Sequence, residues 1–331
     1  MKKLRVLHLT NAYPYEEVPE YGIFIKEQID SLSSESILNK VFFINGRKFG
    51  KMAYISAILE LRKEIDNFDI IHCHHAYSFI IAYLAGIVGK KPLILSYLND
   101  WTREVKDIPF GWLREIICKF TIMKSTFVIF KSPIPDQLKE NKKVINLPNG
   151  VNSEFFKIQD RSIAKKSLGL NKDTIYILFV SSKNKYREQK RYDIFSNTLE
   201  IIKLQNVNKK IEEFCMVGQP RNLVPTIFAA CDIHLLTSDY EGSPNSVKES
   251  LCCGTPVVTR NVGNVGDMLA GVNGTKIVNS NSPVELANSV TELLKKSIDP
   301  TEIRDSFLKK GITKDEIANK LSQLYSDVSP E

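Results

Sequence analysis

The stretch 232–274 gathers the residue types that could hold a charged, hydroxyl-rich ligand. After an apolar run ending at 236 the chain reads TSDYEGSPNSVKESLCCGTPVV. Ser243 has the chemistry of an N-cap, Pro244 suits a first helical turn and Gly254 suits a stop, so the spacing predicts a helix over 244–252. A helix that begins at the end of a strand presents free backbone N–H groups and the positive end of its dipole, a site suited to a diphosphate. Glu241 falls in the approach loop. Glu249 falls within the helix, four residues after Asn245 and on the same face. A carboxylate can accept two hydrogen bonds from a ribose diol, which a neutral group does less well. By spacing alone, both acids can equally be read as ordinary helix-start acids.

The elements that must position these residues alternate along the chain. Strands are expected over 5–9, 41–44, 70–73, 93–97, 127–130 and 144–147, then over 175–180, 214–217, 233–236, 256–259 and 276–278. Helices over 24–32, 55–65, 192–204 and 283–296 lie between them. Continuous apolar runs bounded by turn residues imply strands buried on both faces, hence parallel sheets covered by helices. Two such series separated by a linker over 148–172 imply an α/β protein of two doubly wound, Rossmann-like domains, 1–150 and 151–331, facing a central cleft, with the final helix free to pack back on the first domain.

Composition narrows the chemistry. The 331 residues are 43% hydrophobic and 25% charged, with a net charge of +7, the balance of a water-soluble globular protein. Mild basicity suits a phosphate-bearing ligand or an anionic membrane surface, and equally a lysine-rich solvated surface. The six cysteines form no C-x-x-C and lie mostly in apolar stretches, as reduced thiols of a cytoplasmic protein would. The apolar run after MKKLR ends at Asn11, short for a signal-peptide core. The uncharged stretch 70–89 contains His72, His74, His75 and two glycines, and reads as strand, loop and helix rather than a membrane span. No two of the sixteen glycines are separated by one residue, which excludes a G-x-G-x-x-G dinucleotide fingerprint. P-loop, D-x-D and H-E-x-x-H patterns are absent too, so any nucleotide must be held without those devices.

EGSPNSVKES followed by GTPVVTRNVGNVGDMLAGVNG resembles the E-x(7)-E region of retaining GT-B glycosyltransferases of family four, especially bacterial members that build cell-surface polysaccharides. The resemblance implies that Glu241 approaches the donor sugar and Glu249 binds the ribose hydroxyls. It also implies that the loop and helix start formed by Gly242, Ser243, Pro244, Asn245 and Ser246 contact the sugar and diphosphate. FVSSKNKYREQKRYDIF resembles the family's basic loop, which puts Arg187 and Lys190 on the diphosphate; the same residues would also suit a solvated turn. VINLPNGVNSEFF is similar to the element closing the first domain. FCMVGQP is similar to the turn that cradles the base, with Gly218 its contact. NAYPYEEVPEYGIFIKEQ is similar to the family's first loop, where Gly22 would let backbone approach diphosphate or acceptor. After the strand at 93–97, relatives carry a His-Gly pair where this chain has Leu98 and Asn99. His74 in IIHCHHAY is the substitute candidate to face the sugar, or a structural histidine; Asp100 is a ligand of sugar or acceptor, or a loop cap.

The implied activity is transfer of a sugar from a UDP-linked donor, by a hexosyltransferase that needs neither metal nor cofactor, to a glycan or polyprenyl-linked acceptor. WTREVKDIPFGWLREIICKFTIMK, at 101–124, could lie on the inner face of a membrane as a peripheral contact, or pack its apolar side on the sheet. No nucleic-acid partner is expected. A GT-B nucleotide-sugar epimerase and a non-catalytic nucleotide- or glycan-binding subunit are the alternatives.

Overall fold

The computed structural model describes residues 3–32, 36–98, 111–182 and 184–329. The chain forms two compact units, Met1–Gly150 with Lys314–Glu331, and Val151–Thr313. Each is built on one all-parallel sheet.

The first unit's sheet contains β1 (Leu4–Thr10), β2 (Ile37–Phe43), β3 (Ile70–His74), β4 (Leu93–Tyr97), β5 (Phe127–Phe130) and β6 (Val144–Asn146), in the order β2-β1-β3-β4-β5-β6. β3 and β4 are buried at every residue, the pattern of strands covered on both faces. Alternation divides the two faces. Leu7, Leu9, Ile71, Cys73, Leu95 and Tyr97 enter an apolar core. His8, Thr10, His72, His74 and Ser96 lie on the other face, also buried. The helix Lys314–Val328 belongs to this unit and brings Tyr325 to that polar layer.

The second unit's sheet contains β7 (Ile175–Ser181), β8 (Ile211–Val217), β9 (Ile233–Leu236), β10 (Val257–Arg260) and β11 (Thr275–Val278), in the order β11-β10-β9-β7-β8. Its doubly wound order turns between β7 and β9, because β8 extends the sheet one way and β9 starts it the other.

Two expectations are corrected. The stretch 148–172 is more than a linker: it holds the helix Arg161–Ser167, whose N-cap Asp160 accepts from the Ile163 N–H at 2.8 Å. Arg161 and Lys165 on that helix both engage Asp232, at 3.0 and 3.2 Å, which ties it to the second unit. β2 and β8 begin four and three residues earlier than their apolar runs, at Ile37 and Ile211, because pairing with β1 and β7 extends past the apolar residues.

The polar layer has a consequence for pH. His8 Nδ1 lies 3.0 Å from His74 Nε2, and His8 Nε2 lies 2.9 Å from Asn39 Oδ1. His72 spans Tyr325 Oη at 2.6 Å and Ser96 Oγ at 2.8 Å. Burial holds His8 down to about 4 and His72 and His74 well below the usual imidazole range; in the second unit burial takes His234 to about 3. The unfolded chain binds these protons near pH 6.5 while the folded chain refuses them, so stability falls as pH drops from about 6.5 toward 4. Each such histidine contributes a slope of up to about 1.4 kcal/mol per pH unit. Urea midpoints should therefore fall steeply between pH 7 and 5. A flat profile over that interval would contradict the buried, neutral assignment.

Candidate functional site

At the turning point of the second sheet, two loops leave the carboxyl ends of adjacent strands, the usual ligand position in doubly wound folds. The loop after β7 carries Arg187, Gln189, Lys190 and Arg191; the loop after β9 carries Thr237 to Ser243. Backbone and side chains sew them together. The Asp239 N–H donates to the Gln189 carbonyl at 2.9 Å, Gln189 Nε2 donates to the Tyr240 carbonyl at 2.7 Å, and Thr237 Oγ1 donates to the Lys190 carbonyl at 2.9 Å. Arg191 adopts φ 51°, a left-handed conformation, and its guanidinium reaches Asp239 at 3.1 Å. Asp193 and Asp239 raise its affinity for the proton, so it stays a cation.

This frame places Lys190 Nζ 2.7 Å from Glu241 Oε1, and Ser238 Oγ donates to the same oxygen at 2.8 Å. The Lys190 and Glu241 side chains are only 13% and 14% exposed, so their attraction is less screened than that of a surface pair. Arg187 donates to Gln189 Oε1 at 2.7 Å and Ser182 Oγ at 3.1 Å, from a half-buried position on the same loop.

The helix after the β9 loop spans Asn245–Cys252. Ser243 is not its N-cap: Pro244 holds that position with no side-chain cap, and Ser243 Oγ instead accepts from Lys248 Nζ at 3.2 Å. The first-turn N–H groups are thus left without a capping side chain. Gly254 follows the helix with φ +73°, as its stop requires. Glu249 is buried and accepts from Arg221 NH1 at 2.8 Å. The Arg221 guanidinium also lies 4.8 Å from the Phe156 ring centroid.

Arg221 and Gly263 escaped the sequence reading. Arg221 follows β8 in QPRNL, a basic residue just past a strand end, and that was its only signal. Gly263 holds φ +56°, and a Cβ there would meet the Gly242 carbonyl oxygen at 2.3 Å. With Asn264 N–H donating to the same oxygen at 3.1 Å, it braces the Gly242–Ser243 peptide.

The remaining expected residues lie elsewhere. Gly218 ends the edge strand β8 in an exposed turn at φ +59°. Gly22, in the first unit, has φ +69°, and the backbone that approaches it is that of Ala12, whose oxygen a Cβ would meet at 2.4 Å. Its own loop therefore accounts for the glycine. His74 is fully buried in the imidazole cluster rather than open at a strand end. Asp100 lies outside the described residues. Ring nitrogens of His8, His72 and His74 come within 4.8 Å of one another, the spacing of a metal cluster among the described residues. Hydrogen bonds to Asn39, Ser96 and Tyr325 already occupy His8 and His72, and the buried Lys131 cation opposes added positive charge there.

Residues 202–296, which hold Arg221, Glu241 and Glu249, match the model of the family described as Glycosyl transferases group 1. Over that segment the chain is similar to the group 1 glycosyltransferases. Similar proteins include the UDP-Gal:alpha-D-GlcNAc-diphosphoundecaprenol alpha-1,3-galactosyltransferase of Escherichia coli, 23% identical over 63% of this chain. That match spans 61% of the E. coli protein's own length. The N-acetyl-alpha-D-glucosaminyl L-malate synthase of Bacillus anthracis is 22% identical over 74% of this chain and 70% of its own. Among solved structures, the sucrose-phosphate synthase of Thermosynechococcus elongatus superposes with a TM-score of 0.73 at 13% identity, covering 98% of this chain and 99% of that one. Anabaena HepE in complex with UDP and glucose gives 0.72 at 15% identity, covering 98% and 100%. These likenesses establish the GT-B fold: two doubly wound parallel-sheet units.

Proposed function

We propose that this chain transfers a sugar, with retention of configuration, from a UDP-linked donor to a glycan or lipid-linked acceptor used in cell-surface polysaccharide. The observation that carries the reading is the grouping of Arg187, Lys190, an uncapped helix N-terminus and the Glu249–Arg221 pair at one sheet's turning point. Glu249 spends Oε1 on Arg221, and Oε2 is available in kind to a ribose hydroxyl, since a carboxylate has about four acceptor positions. The helix amides, Arg187 and Lys190 receive the diphosphate, and Glu241 faces the sugar.

In the reaction the acceptor oxygen bonds to the anomeric carbon on the face from which the diphosphate departs. The carbon–oxygen bond to phosphate breaks, and the acceptor's proton passes to a phosphate oxygen. The protein positions both partners, and its cations offset the charge that develops on the leaving group, which in this reading needs no metal. UDP is favoured by the nucleotide bound to HepE and by the UDP-Gal named for the E. coli relative.

A lipid-linked acceptor is supported by apolar residues exposed on the first unit: Met52, Ile55 and Leu59 of the helix Met52–Glu64, and Trp112, Ile116 and Met123 of Gly111–Lys124. Cys118 and Ile122 of the latter helix are buried, so it both packs on the core and shows an apolar face. Among the described residues no helix is long and apolar enough to cross a membrane.

Thermal unfolding with UDP, GDP and ADP tests the nucleotide, and flotation with anionic phospholipid vesicles tests the surface. UDP at 100 times its dissociation constant should stabilise by roughly 2.7 kcal/mol. If no nucleotide shifts the transition, the donor reading fails; isomerised sugar from donor alone would make the protein an epimerase instead.

A further inference from the structure

Lys248 lies in the middle of Asn245–Cys252 with no exposed surface, and its ammonium donates to Ser243 Oγ at 3.2 Å. A buried ammonium is costly, and a methionine would fill the same volume without that cost. Helix formation gives no reason for a lysine on the inner face of this helix, where Val247, Leu251 and Cys252 pack into the core. What distinguishes the position is its target. Ser243 belongs to the loop that runs from Glu241 to the helix start, and that loop is already pinned from another side by Gly263 and Asn264.

We propose that Lys248 is a positioning cation for the donor: it holds Ser243 and the helix-start loop in place from within the protein and sets a positive charge beneath the bound diphosphate. The inference rests on the donor reading given above. It makes Lys248 act through Ser243, without touching the substrate.

The charge should respond to the ligand. Burial lowers the Lys248 ammonium to about 7, so near neutral pH it is only partly protonated in the free protein. Glu249 and Cys252, on its own helix, are the groups acting on its charge, and both favour the cation. Across the packed elements, His234 of β9 stays neutral, Arg260 of β10 is paired with Asp239, and Arg304 of Pro300–Leu308 donates to the Cys252 carbonyl. Glu302 and Asp305 of that helix are exposed, and Val224–Ala230 carries no titratable group. A diphosphate anion arriving at the loop favours the protonated lysine, so donor binding near neutral pH takes up protons.

The test uses calorimetric titration of the full chain with UDP at pH 7, in two buffers of different ionisation enthalpy, for wild type, Lys248→Met and Ser243→Ala. Expected are a roughly tenfold weaker UDP affinity for Lys248→Met, loss of the wild-type proton uptake, and a urea midpoint no lower than wild type. Ser243→Ala should weaken binding comparably, and the double variant should add little, as two residues acting in series require. Should Lys248→Met fail to fold, Ser243→Ala decides: wild-type affinity there overturns the proposal. Folded Lys248→Met with unchanged affinity and proton uptake overturns it as well, while leaving the donor reading intact. Absence of UDP binding by the wild type overturns both.

Discussion

Replacing Glu249 with alanine should weaken UDP binding by roughly 10- to 100-fold while leaving the fold intact. The magnitude follows from the chemistry lost. A hydrogen bond to a charged group is worth about 1.5–3 kcal/mol, and each 1.4 kcal/mol is a factor of ten in affinity. Glu249 is buried, so its bonds to a ribose diol would be made in a poorly screened setting. The variant also leaves the Arg221 guanidinium without its carboxylate at 2.8 Å; that side chain is 35% exposed and can turn to water, which limits the cost to stability. Titration calorimetry with UDP measures the effect, and a parallel melt separates lost binding from lost structure. Unchanged UDP affinity rejects the ribose role. Glutamine in place of alanine refines the result: it keeps the shape and one acceptor but loses the charge, so it should fall between alanine and wild type.

What could be read in the chain, and what could not, divides along physical lines. Buried parallel strands announce themselves as apolar runs, and 93–97, 127–130 and 233–236 are found with those bounds. Strand ends that carry polar residues do not: Asn39 and Lys40 pair with Val6 and Leu7 of β1 although nothing apolar marks them. The helix near 244–252 and its stop at Gly254 followed from capping chemistry. Its start did not. The pattern made Ser243 the cap and Pro244 a first-turn residue, whereas Pro244 holds the cap position and the serine hydroxyl accepts from a lysine five residues on. Long-range partners are the other blind spot. Arg221 reaches Glu249 across 28 residues and Gly263 supports Gly242 across 21, and neither contact has a local pattern to betray it. His74 shows the converse case. The sequence left His74 open between a sugar-facing and a structural role; strand alternation turns His72 and His74 onto a buried face, where His8 of the neighbouring strand meets them.

Removing Lys190 should lower kcat by roughly 10²- to 10³-fold, the range found when one preorganised hydrogen-bond donor to a developing anion is lost. Its ammonium is held 2.7 Å from Glu241 Oε1, so the fold itself keeps the cation at that position. The same pair predicts a second, separable effect. In Lys190→Ala the Glu241 carboxylate keeps its Ser238 hydrogen bond but loses its counter-charge, and it then faces an incoming diphosphate of like sign. Donor binding should therefore weaken in Lys190→Ala beyond what the missing contact explains. Neutralising the acid in the double variant Lys190→Ala/Glu241→Gln should recover part of that binding without recovering kcat. Steady-state kinetics with varied donor, alongside equilibrium binding of UDP to both variants, read the two effects apart. A kcat within a few-fold of wild type in Lys190→Ala would remove the cation from the chemistry. Failure of Glu241→Gln to restore any binding would show that the pair does not share the donor's charge. Arginine at 190 offers the intermediate case. It preserves the charge but exchanges a compact ammonium for a planar fork in a side-chain position only 13% exposed, so it should keep donor binding better than it keeps kcat.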